Sequence, residues 1–239
     1  MRIALIGYGK MGKEIEKIAL SRGHQIVAII DINNAVEGFD TEEFKSAQVA
    51  IEFTQPEMAI GNYRKCFDRN IPVVAGTTGW LKDMQEVKDA CFKQGQTFFY
   101  ASNYSIGVNV LFTINTFLAK IMNQMPDYDV RMEEVHHIHK LDAPSGTAIT
   151  LADSILENLE RKKQWIEGAE PKAEDIGIKS IREAEVPGIH EVIYESSVDS
   201  IHIKHEAKSR TGFALGAVVA AEFTEGRKGF LGMSDIFNF

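Results

Sequence analysis

The 239-residue sequence contains only two cysteines, Cys66 and Cys91, both in segments predicted to be helical. Two such cysteines do not provide the disulfide framework of a small secreted protein, so a reducing cytoplasm is the expected compartment. The N-terminal segment shows no charged leader followed by an apolar region, so we expect no signal peptide. The sequence also lacks an apolar run long enough to span a bilayer, which predicts no membrane partner.

An excess of positive charge is also missing. The 26 lysines and arginines are outnumbered by 34 aspartates and glutamates, which gives a net charge of −8 and an isoelectric point near 5.4. Because nucleic-acid binding needs a basic surface, we expect no nucleic acid as a partner. An anionic small molecule is compatible with this composition, since a local cationic pocket can exist in an acidic protein. The length is sufficient for two domains.

A glycine-rich turn follows the first predicted strand. The apolar run Arg2–Ile6 leads into Gly7-Tyr8-Gly9-Lys10-Met11-Gly12, a helical pattern comes next, and a second apolar strand at residues 26–30 ends at Asp31. In this context the Gly-X-Gly-X-X-Gly spacing predicts a dinucleotide site. The glycines permit a tight turn and close approach of the pyrophosphate, and Asp31 is placed to bind the adenosine ribose hydroxyls. The alternative is a tight turn that binds nothing.

The residue after the acid indicates which nicotinamide cofactor is used. Ile32 stands where an NADP enzyme often carries arginine for the 2′-phosphate. A carboxylate facing that phosphate is unfavourable, so the sequence favours NADH over NADPH. Lys10 could nevertheless reach a 2′-phosphate, which keeps NADPH as the alternative.

Three further apolar strands, at residues 49–53, 71–75 and 97–101, alternate with helical patterns. This rhythm predicts an α/β fold with an N-terminal Rossmann domain, a doubly wound parallel sheet. Ligands of such sheets bind at the carboxyl ends of the strands. Two segments at these ends are therefore expected to flank the nicotinamide: Gly76, Thr77 and Thr78, and Ala101, Ser102, Asn103 and Tyr104. The glycine-containing turn at 76–79 could also be a helix N-cap, and both roles are compatible.

The second half of the chain predicts a smaller α+β domain. We expect a helix at 107–125, a strand at 127–138, a helix at 145–161, a charged loop or partial helix at 161–177, and strands at 178–183, 190–196 and 200–205. Short turns between these strands predict an open mixed sheet, mostly antiparallel, whose exposed face would be an oligomer surface. We assign residues 1–104 to a dinucleotide-binding domain, completed by 210–239, and 105–209 to a substrate-binding and oligomerisation domain.

The chemistry is concentrated at residues 134–148, where three histidines and a lysine fall within five positions. On a strand, His136 would share a face with Ile138, and Lys140 would join them only if the extended backbone continues. Ser145, Gly146 and Thr147 open a predicted helix whose N-terminus would bind a carboxylate or phosphate. Such histidines can also be surface, core or metal-binding residues. We expect no metal, because neither cysteine is near and no His-Glu-X-X-His spacing occurs.

These residues resemble the signature of the 4-hydroxy-tetrahydrodipicolinate reductase (dihydrodipicolinate reductase) family of lysine and diaminopimelate biosynthesis. The most specific part is the stretch 134–148. The match covers nearly the whole chain and also includes the turn at 7–12, Glu52-Phe53-Thr54-Gln55-Pro56-Glu57, Gly76-Thr77-Thr78-Gly79, residues 101–109 and His205-Glu206-Ala207-Lys208-Ser209-Arg210.

The resemblance implies hydride transfer from NAD(P)H to a cyclic, imine-like dicarboxylate. It places His136 as proton donor or acceptor, Lys140 as a second proton donor, and His137 as a substrate contact. It places Gly146 and Thr147 on a substrate carboxylate, with Ser145 beside them. It repeats the cofactor assignments of Asp31 and of the segments that begin at Gly76 and Ala101. It also implies a homotetramer assembled through the second sheet.

The sequence departs from the common family pattern in four places. The segment between Asp31 and Gln48 is short, and the glycine-rich turn has one residue fewer than in some members. Glu52 replaces the usual aspartate before Phe-Thr. The segment Arg182-Glu183-Ala184 lacks the glycine usually found after that arginine.

Two other functions are compatible with the same features. One is a different nicotinamide-dependent oxidoreductase acting on a small dicarboxylate. The other is a regulator that binds the dinucleotide without catalysis. The cluster from His136 to Lys140 argues against the regulator, since a sensor needs no proton donors.

Overall fold

The computed structural model describes residues 1–168, 170–209 and 211–237. The chain divides into two compact units: Met1–Ile106 together with Thr211–Phe239, and Gly107–Arg210. In the described ranges, no helix has both the length and the apolar character needed to cross a bilayer.

The first unit is built from alternating strands and helices. Its strands are β1 (Arg2–Ile6), β2 (Gln25–Ile30), β3 (Val49–Glu52), β4 (Val73–Ala75), β5 (Thr97–Tyr100) and, after the second unit, β11 (Gly229–Leu231). Its helices are α1 (Lys10–Ser21), α2 (Glu42–Lys45), α3 (Pro56–Phe67), α4 (Met84–Gln94), α7 (Thr211–Thr224) and α8 (Met233–Phe237). Short 3-10 turns lie at Ile32–Asn34, Gly38–Asp40 and Leu81–Asp83.

All six strands form one parallel sheet in the order β11-β5-β4-β3-β1-β2. β2 and β3 lie on opposite sides of β1, so the strand order reverses between β1 and β3. At such a reversal the carboxyl ends of the two strands form a crevice. One face is covered by an aromatic cluster around Tyr63, Trp80 and Phe98. On the other face small residues such as Ala217 and Ala221 let α7 pack closely on α1. The prediction of a doubly wound parallel sheet is confirmed.

The second unit contains one sheet and two long helices. Its strands are β6 (Asp129–His136), β7 (Gln164–Glu167), β8 (Asp175–Arg182), β9 (Ile189–Glu195) and β10 (Ser200–Glu206), and its helices are α5 (Ile106–Met122), which starts one residue before the unit, and α6 (Gly146–Leu156). The strand order is β10-β9-β6-β8-β7. The pairings β10–β9 and β9–β6 are antiparallel, whereas β6–β8 and β8–β7 are parallel.

A mixed sheet was expected and is confirmed, but the expectation of mostly antiparallel pairing is wrong. The connection from β6 to β8 carries α6 and β7, which makes it a crossover, and crossovers join parallel strands. Two short strands were missed. β7 lies in the segment predicted as a loop or partial helix, and β11 lies in the segment 210–239, which was assigned to the first domain without a predicted strand. Each is an edge strand of three or four residues, too short to show an alternating pattern.

Buried and more exposed residues alternate along β6, and this alternation puts Glu134 and His136 on the buried face. Val130, Met132, Glu134 and His136 are buried on one face, which the core around α5 and α6 covers. The strand ends at His136, and the Lys140 N–H donates to the His137 carbonyl in the turn that follows. The extended backbone ends at His136, so Lys140 does not lie on the same strand face as His136.

Candidate active site

The three glycines of the first turn occupy three different environments. Gly7 has φ +90°, and a Cβ there would lie 2.0 Å from the Phe53 carbonyl oxygen. A Cβ on Gly12 would lie 2.3 Å from the Gly7 carbonyl oxygen, so α1 packs directly on the turn. A Cβ on Gly9 would meet nothing within 4 Å. The turn is thus closed on its protein side and open at the N-terminus of α1, as pyrophosphate binding requires.

A cleft of about 380 Å³ lies over the carboxyl ends of β1, β2 and β3. Its lining includes Gly7, Tyr8, Gly9, Asp31 and Ile32. Asp31 is half-buried, and its N–H donates to the side-chain oxygen of Asn34 at 2.8 Å, which fixes the backbone after β2. Of the other two predicted residues of the turn, Lys10 is exposed and Met11 is half-buried at the start of α1. Of the residues predicted to bind the dinucleotide in this part of the chain, Gly7, Tyr8, Gly9 and Asp31 therefore line one cleft, and Lys10, Met11 and Gly12 do not.

The segments after β4 and β5 are held mainly by structural contacts. A Cβ on Gly76 would lie 2.1 Å from the Phe53 ring, so the ring rests on this glycine. The Thr77 hydroxyl oxygen accepts from the Thr54 N–H at 2.7 Å, and the Tyr104 hydroxyl donates to the Ala75 carbonyl at 2.7 Å. Thr77, Ala101 and Tyr104 are buried, Asn103 is half-buried, and Thr78 and Ser102 are exposed.

In the second unit, the fully buried carboxylate of Glu134 contacts two of the predicted site residues, Ser145 and His136. The oxygens of Glu134 accept from the Ser145 N–H at 3.1 and 3.2 Å, and from the Arg182 guanidinium at 3.2 Å. The same carboxylate lies 3.5 Å from Nδ1 of His136 and 3.7 Å from Nε2 of His190. Burial raises the pKa of Glu134, but the Ser145 hydrogen bonds, His136 and Arg182 outweigh it, and the pKa lies below its ordinary value.

Both imidazoles of this cluster are favoured in the neutral form. Burial, with the nearby charges of Lys140 and Arg182, keeps the pKa of His136 below its ordinary value, although the Glu134 carboxylate opposes this. Burial lowers the pKa of His190 to about 4. The two rings meet edge to face, with centroids 5.0 Å apart.

The donor atoms of Glu134, His136 and His190 lie within 4.8 Å of one another, which is a spacing that metal ligands can have. However, the Arg182 guanidinium and the Ser145 N–H already occupy the carboxylate. A second cation at this position would be repelled by Arg182. We therefore interpret the cluster as a hydrogen-bonding network, and the absence of a metal stays a prediction.

The other residues of the stretch lie in the loop between β6 and α6. The Lys140 ammonium donates to both carboxylate oxygens of Asp142 at 2.8 Å. His137 is half-buried, and its Nδ1 has no hydrogen-bond partner among the described residues. His139 is exposed, and its Nε2 lies 3.2 Å from a carboxylate oxygen of Glu185.

The predicted anion-binding turn is formed at the start of α6. The Ser145 hydroxyl accepts from the Ala148 N–H at 3.3 Å, so Ser145 is the N-cap of the helix that was predicted to begin here. Gly146 is exposed, a Cβ there would meet nothing within 4 Å, and Thr147 is half-buried. The first N–H groups of a helix have no intrahelical acceptor, which makes this end suitable for a carboxylate.

Three residues of this cluster received no role from the sequence: Glu134, Arg182 and His190. Glu134 directly opposes His190 across β6 and β9, and His136 directly opposes Arg182 across β6 and β8. The spacing of Glu134 and His136, two residues apart on one strand, was a signal that both share a face. The partners from β8 and β9 depend on strand register, which the sequence did not provide.

A parallel sheet with a glycine turn, joined to a second unit with a buried acid–imidazole cluster, defines a two-unit, dinucleotide-dependent oxidoreductase. The family model "Dihydrodipicolinate reductase, N-terminus" matches residues 1–104, and "Dihydrodipicolinate reductase, C-terminus" matches residues 107–237. The chain belongs to the dihydrodipicolinate reductase family, whose members use NAD(P)H.

Individual relatives agree over the full length. The 4-hydroxy-tetrahydrodipicolinate reductase of Christiangramia forsetii is 49% identical over 238 residues, covering 100% of this chain and 98% of the relative. That of Staphylococcus epidermidis is 34% identical over 231 residues, covering 93% and 94%. A dipicolinate-bound dihydrodipicolinate reductase from Paenisporosarcina sp. TG-14 has the same fold, with a TM-score of 0.79, 22% identity and 97% coverage of both chains.

Proposed function

We propose that this protein reduces 4-hydroxy-tetrahydrodipicolinate to tetrahydrodipicolinate in lysine and diaminopimelate biosynthesis, taking the hydride from NAD(P)H. Family membership over the whole chain supports this function most strongly. The reaction consumes one hydride and one proton and releases the 4-hydroxyl group of the substrate as water. The bound nicotinamide would supply the hydride, and the residues of this chain would bind, orient and protonate the substrate.

The glycine turn and the cleft fit the dinucleotide. Gly7 and Gly12 keep the turn tight, and Gly9 leaves the N-terminus of α1 open for the pyrophosphate. Asp31 lines the same cleft and would accept hydrogen bonds from the ribose hydroxyls. The segments that begin at Gly76 and Ala101 would border the nicotinamide half.

We propose NADH as the preferred cofactor. Asp31 is followed by Ile32, which is 88% exposed and lines the cleft where a 2′-phosphate would lie. Neither side chain offers that phosphate a donor or a positive charge, and the carboxylate would repel it. The alternative, NADPH, would depend on the exposed Lys10.

For the proton, we propose Lys140 as the donor to the ring nitrogen of the substrate. The side-chain nitrogen of Lys140 donates to both carboxylate oxygens of Asp142, which fixes its position in the loop. His136 has a lowered pKa and is neutral at neutral pH, so it would assist by hydrogen bonding, or by proton transfer once a dianionic substrate raises its pKa. His137 and the Ser145-Gly146-Thr147 turn would bind a substrate carboxylate.

The test is an absorbance assay at the reduced-nicotinamide band, with substrate generated by a dihydrodipicolinate synthase from pyruvate and aspartate semialdehyde. We expect oxidation that requires both enzymes and is faster with NADH than with NADPH. Lys140→Ala and His136→Ala should each lower turnover by roughly two to four orders of magnitude. His139→Ala, at an exposed neighbouring position, is the control and should keep normal turnover. Folded wild-type protein that binds a dinucleotide but oxidises neither cofactor would contradict the proposed reaction.

We further propose a homotetramer assembled through the second sheet, in a reducing cytoplasm. Every second side chain of β10, at the edge of that sheet, is exposed, which leaves strand and face open to another copy. Cys66 and Cys91 are both free and buried, as suits a protein that needs no disulfide. Mass photometry should give four times the 26.7 kDa chain mass, and a monomer would contradict the assembly.

A further inference from the structure

The buried carboxylate of Glu134 connects parts of the second unit that come from different elements. Its side chain has an exposed fraction of 0%. It receives the N–H at the start of α6, a guanidinium from β8, and it faces imidazoles from β6 and β9. A fully buried carboxylate is retained only where its partners compensate for lost hydration.

The first connection is to the substrate-binding turn. Both oxygens of Glu134 accept from the Ser145 N–H, and the Ser145 hydroxyl contacts Nε2 of His190 at 3.1 Å. The same hydroxyl caps α6 through the Ala148 N–H. Glu134 and His190 together therefore fix the residue from which the helix N-terminus projects.

The second connection is to the imidazole of His136. Nδ1 of His136 is buried, lies 3.5 Å from the Glu134 carboxylate, and has no other acceptor among the described groups. A carboxylate at this side favours the tautomer with the proton on Nδ1. Nε2 then has the free lone pair, and it lies where Gly188 leaves space, since a Cβ there would be 3.1 Å away.

We propose that Glu134 is a positioning residue that holds both the turn at Ser145 and the imidazole of His136 in the orientation that the reaction needs. This inference rests on the function proposed above, and it adds Glu134 to the residues on which turnover depends. Glu134 itself is too deeply buried to touch the substrate, so it acts through its two partners.

The charged groups around His136 determine the direction in which its pKa would shift in a variant. The groups that face His136 or Glu134 are Arg182 from β8, His190 from β9, Ser145 from α6, and Lys140 and Asp142 from the loop, while His205 from β10 acts on His190. Glu134 raises the pKa of His136, whereas Lys140 and Arg182 lower it. Replacing the carboxylate with a neutral amide must therefore lower the pKa of His136, whichever protonation state the reaction uses.

The decisive variant is Glu134→Gln, which keeps one oxygen for the Ser145 N–H but removes the charge. We expect kcat to fall about a hundredfold, with KM for the substrate changed less than threefold because the turn remains attached. In the pH dependence of kcat, the limb that reports the ionisation of His136 should move to lower pH by about one unit or more. Glu133→Gln is the matched control, because Glu133 is the adjacent residue on the same strand and faces the other side of the sheet.

A second variant makes the test independent of how well Glu134→Gln folds. Arg182 is partly exposed, and Arg182→Gln removes a charge that lowers the pKa of His136, so the same limb should move to higher pH. Shifts in opposite directions in the two variants support the positioning role, as does the Arg182→Gln shift alone if Glu134→Gln does not fold. Wild-type turnover with an unmoved limb in either folded variant overturns the inference. An inactive wild type instead overturns the proposed function, so the two failures are distinguishable.

Discussion

The open space at Gly9 allows a sharp test of dinucleotide binding. A Cβ at this position meets no atom within 4 Å, and the backbone angles, φ −76° and ψ −157°, are accessible to alanine. Gly9→Ala should therefore leave the fold unchanged. The added methyl group would nevertheless stand at the N-terminus of α1, where a phosphate must approach the backbone.

The expected loss can be estimated from one displaced contact. A hydrogen bond between a backbone N–H and a charged phosphate contributes about 1.5–3 kcal/mol. Losing one such bond would raise the Kd for NADH about 10- to 150-fold. The unfolding temperature without cofactor should change by less than about 2 °C, since no packed atom is displaced.

The assay is a titration of the reduced cofactor followed by its fluorescence, together with thermal unfolding. Gly61→Ala is the matched control, because its Cβ also meets nothing within 4 Å but projects from α3 outside the cleft lining. It should bind NADH normally and unfold at a temperature a few degrees higher, since alanine favours a helix interior over glycine by about 1 kcal/mol. A folded Gly9→Ala protein whose Kd lies within twofold of wild type would refute close approach of the phosphate at this turn.

Two further predictions concern stability. Burial holds the pKa of His190 at about 4 in the folded state, below the ordinary 6.5, so its contribution is complete above pH 6.5 and is lost as the pH falls from 6.5 towards 4. Urea unfolding should show about 2 kcal/mol less loss between pH 7.5 and 5 for His190→Gln than for wild type, and equal losses would contradict the buried neutral imidazole. Ala184 has φ +44°, so Ala184→Gly should relieve strain and stabilise the protein by about 0.5–1 kcal/mol, seen as a higher unfolding temperature; a lower one would show that the alanine is not strained.

The first unit could be predicted largely from sequence because its signals are local. The order of strand, Gly7-to-Gly12 turn, helix and Asp31 lies within about 30 residues, so the whole pattern can be seen in one short stretch of sequence. The helix predicted to begin at Ser145 is present and has Ser145 as its N-cap. In these places propensity, pattern and tertiary structure agree.

The second site could be predicted only in part, because its contacts are distant in sequence. His136 and Ser145 lie in one motif, but Glu134 meets Arg182 across 48 residues and opposes His190 through strand register. β7 was missed for a similar reason: Gln164–Glu167 has two apolar residues and is a strand by virtue of its pairing with β8. Tertiary pairing determines these features, and a single sequence does not reveal it.

The absence of the usual glycine after Arg182 has a consequence for the backbone at Ala184. Ala184 adopts the left-handed conformation that glycine adopts without strain, and its carbonyl accepts from the Ile138 N–H at 3.2 Å. The alanine therefore holds a backbone conformation that glycine would adopt at a lower cost.

The return of α7 to the first sheet has a consequence for biosynthesis on the ribosome. Ala214, Ala217, Val218, Ala220 and Ala221 are fully buried in the first unit, and β11 completes its sheet. During translation these residues emerge only after the whole of Gly107–Arg210, a delay of about 5–20 s at ordinary elongation rates. The second unit, continuous in sequence, can therefore finish folding first, while the part of the first sheet that α7 covers is still exposed. A chaperone that shields apolar surface would be needed most in that interval, and a nascent chain truncated before Thr211 should bind one longer than a chain truncated after Leu231.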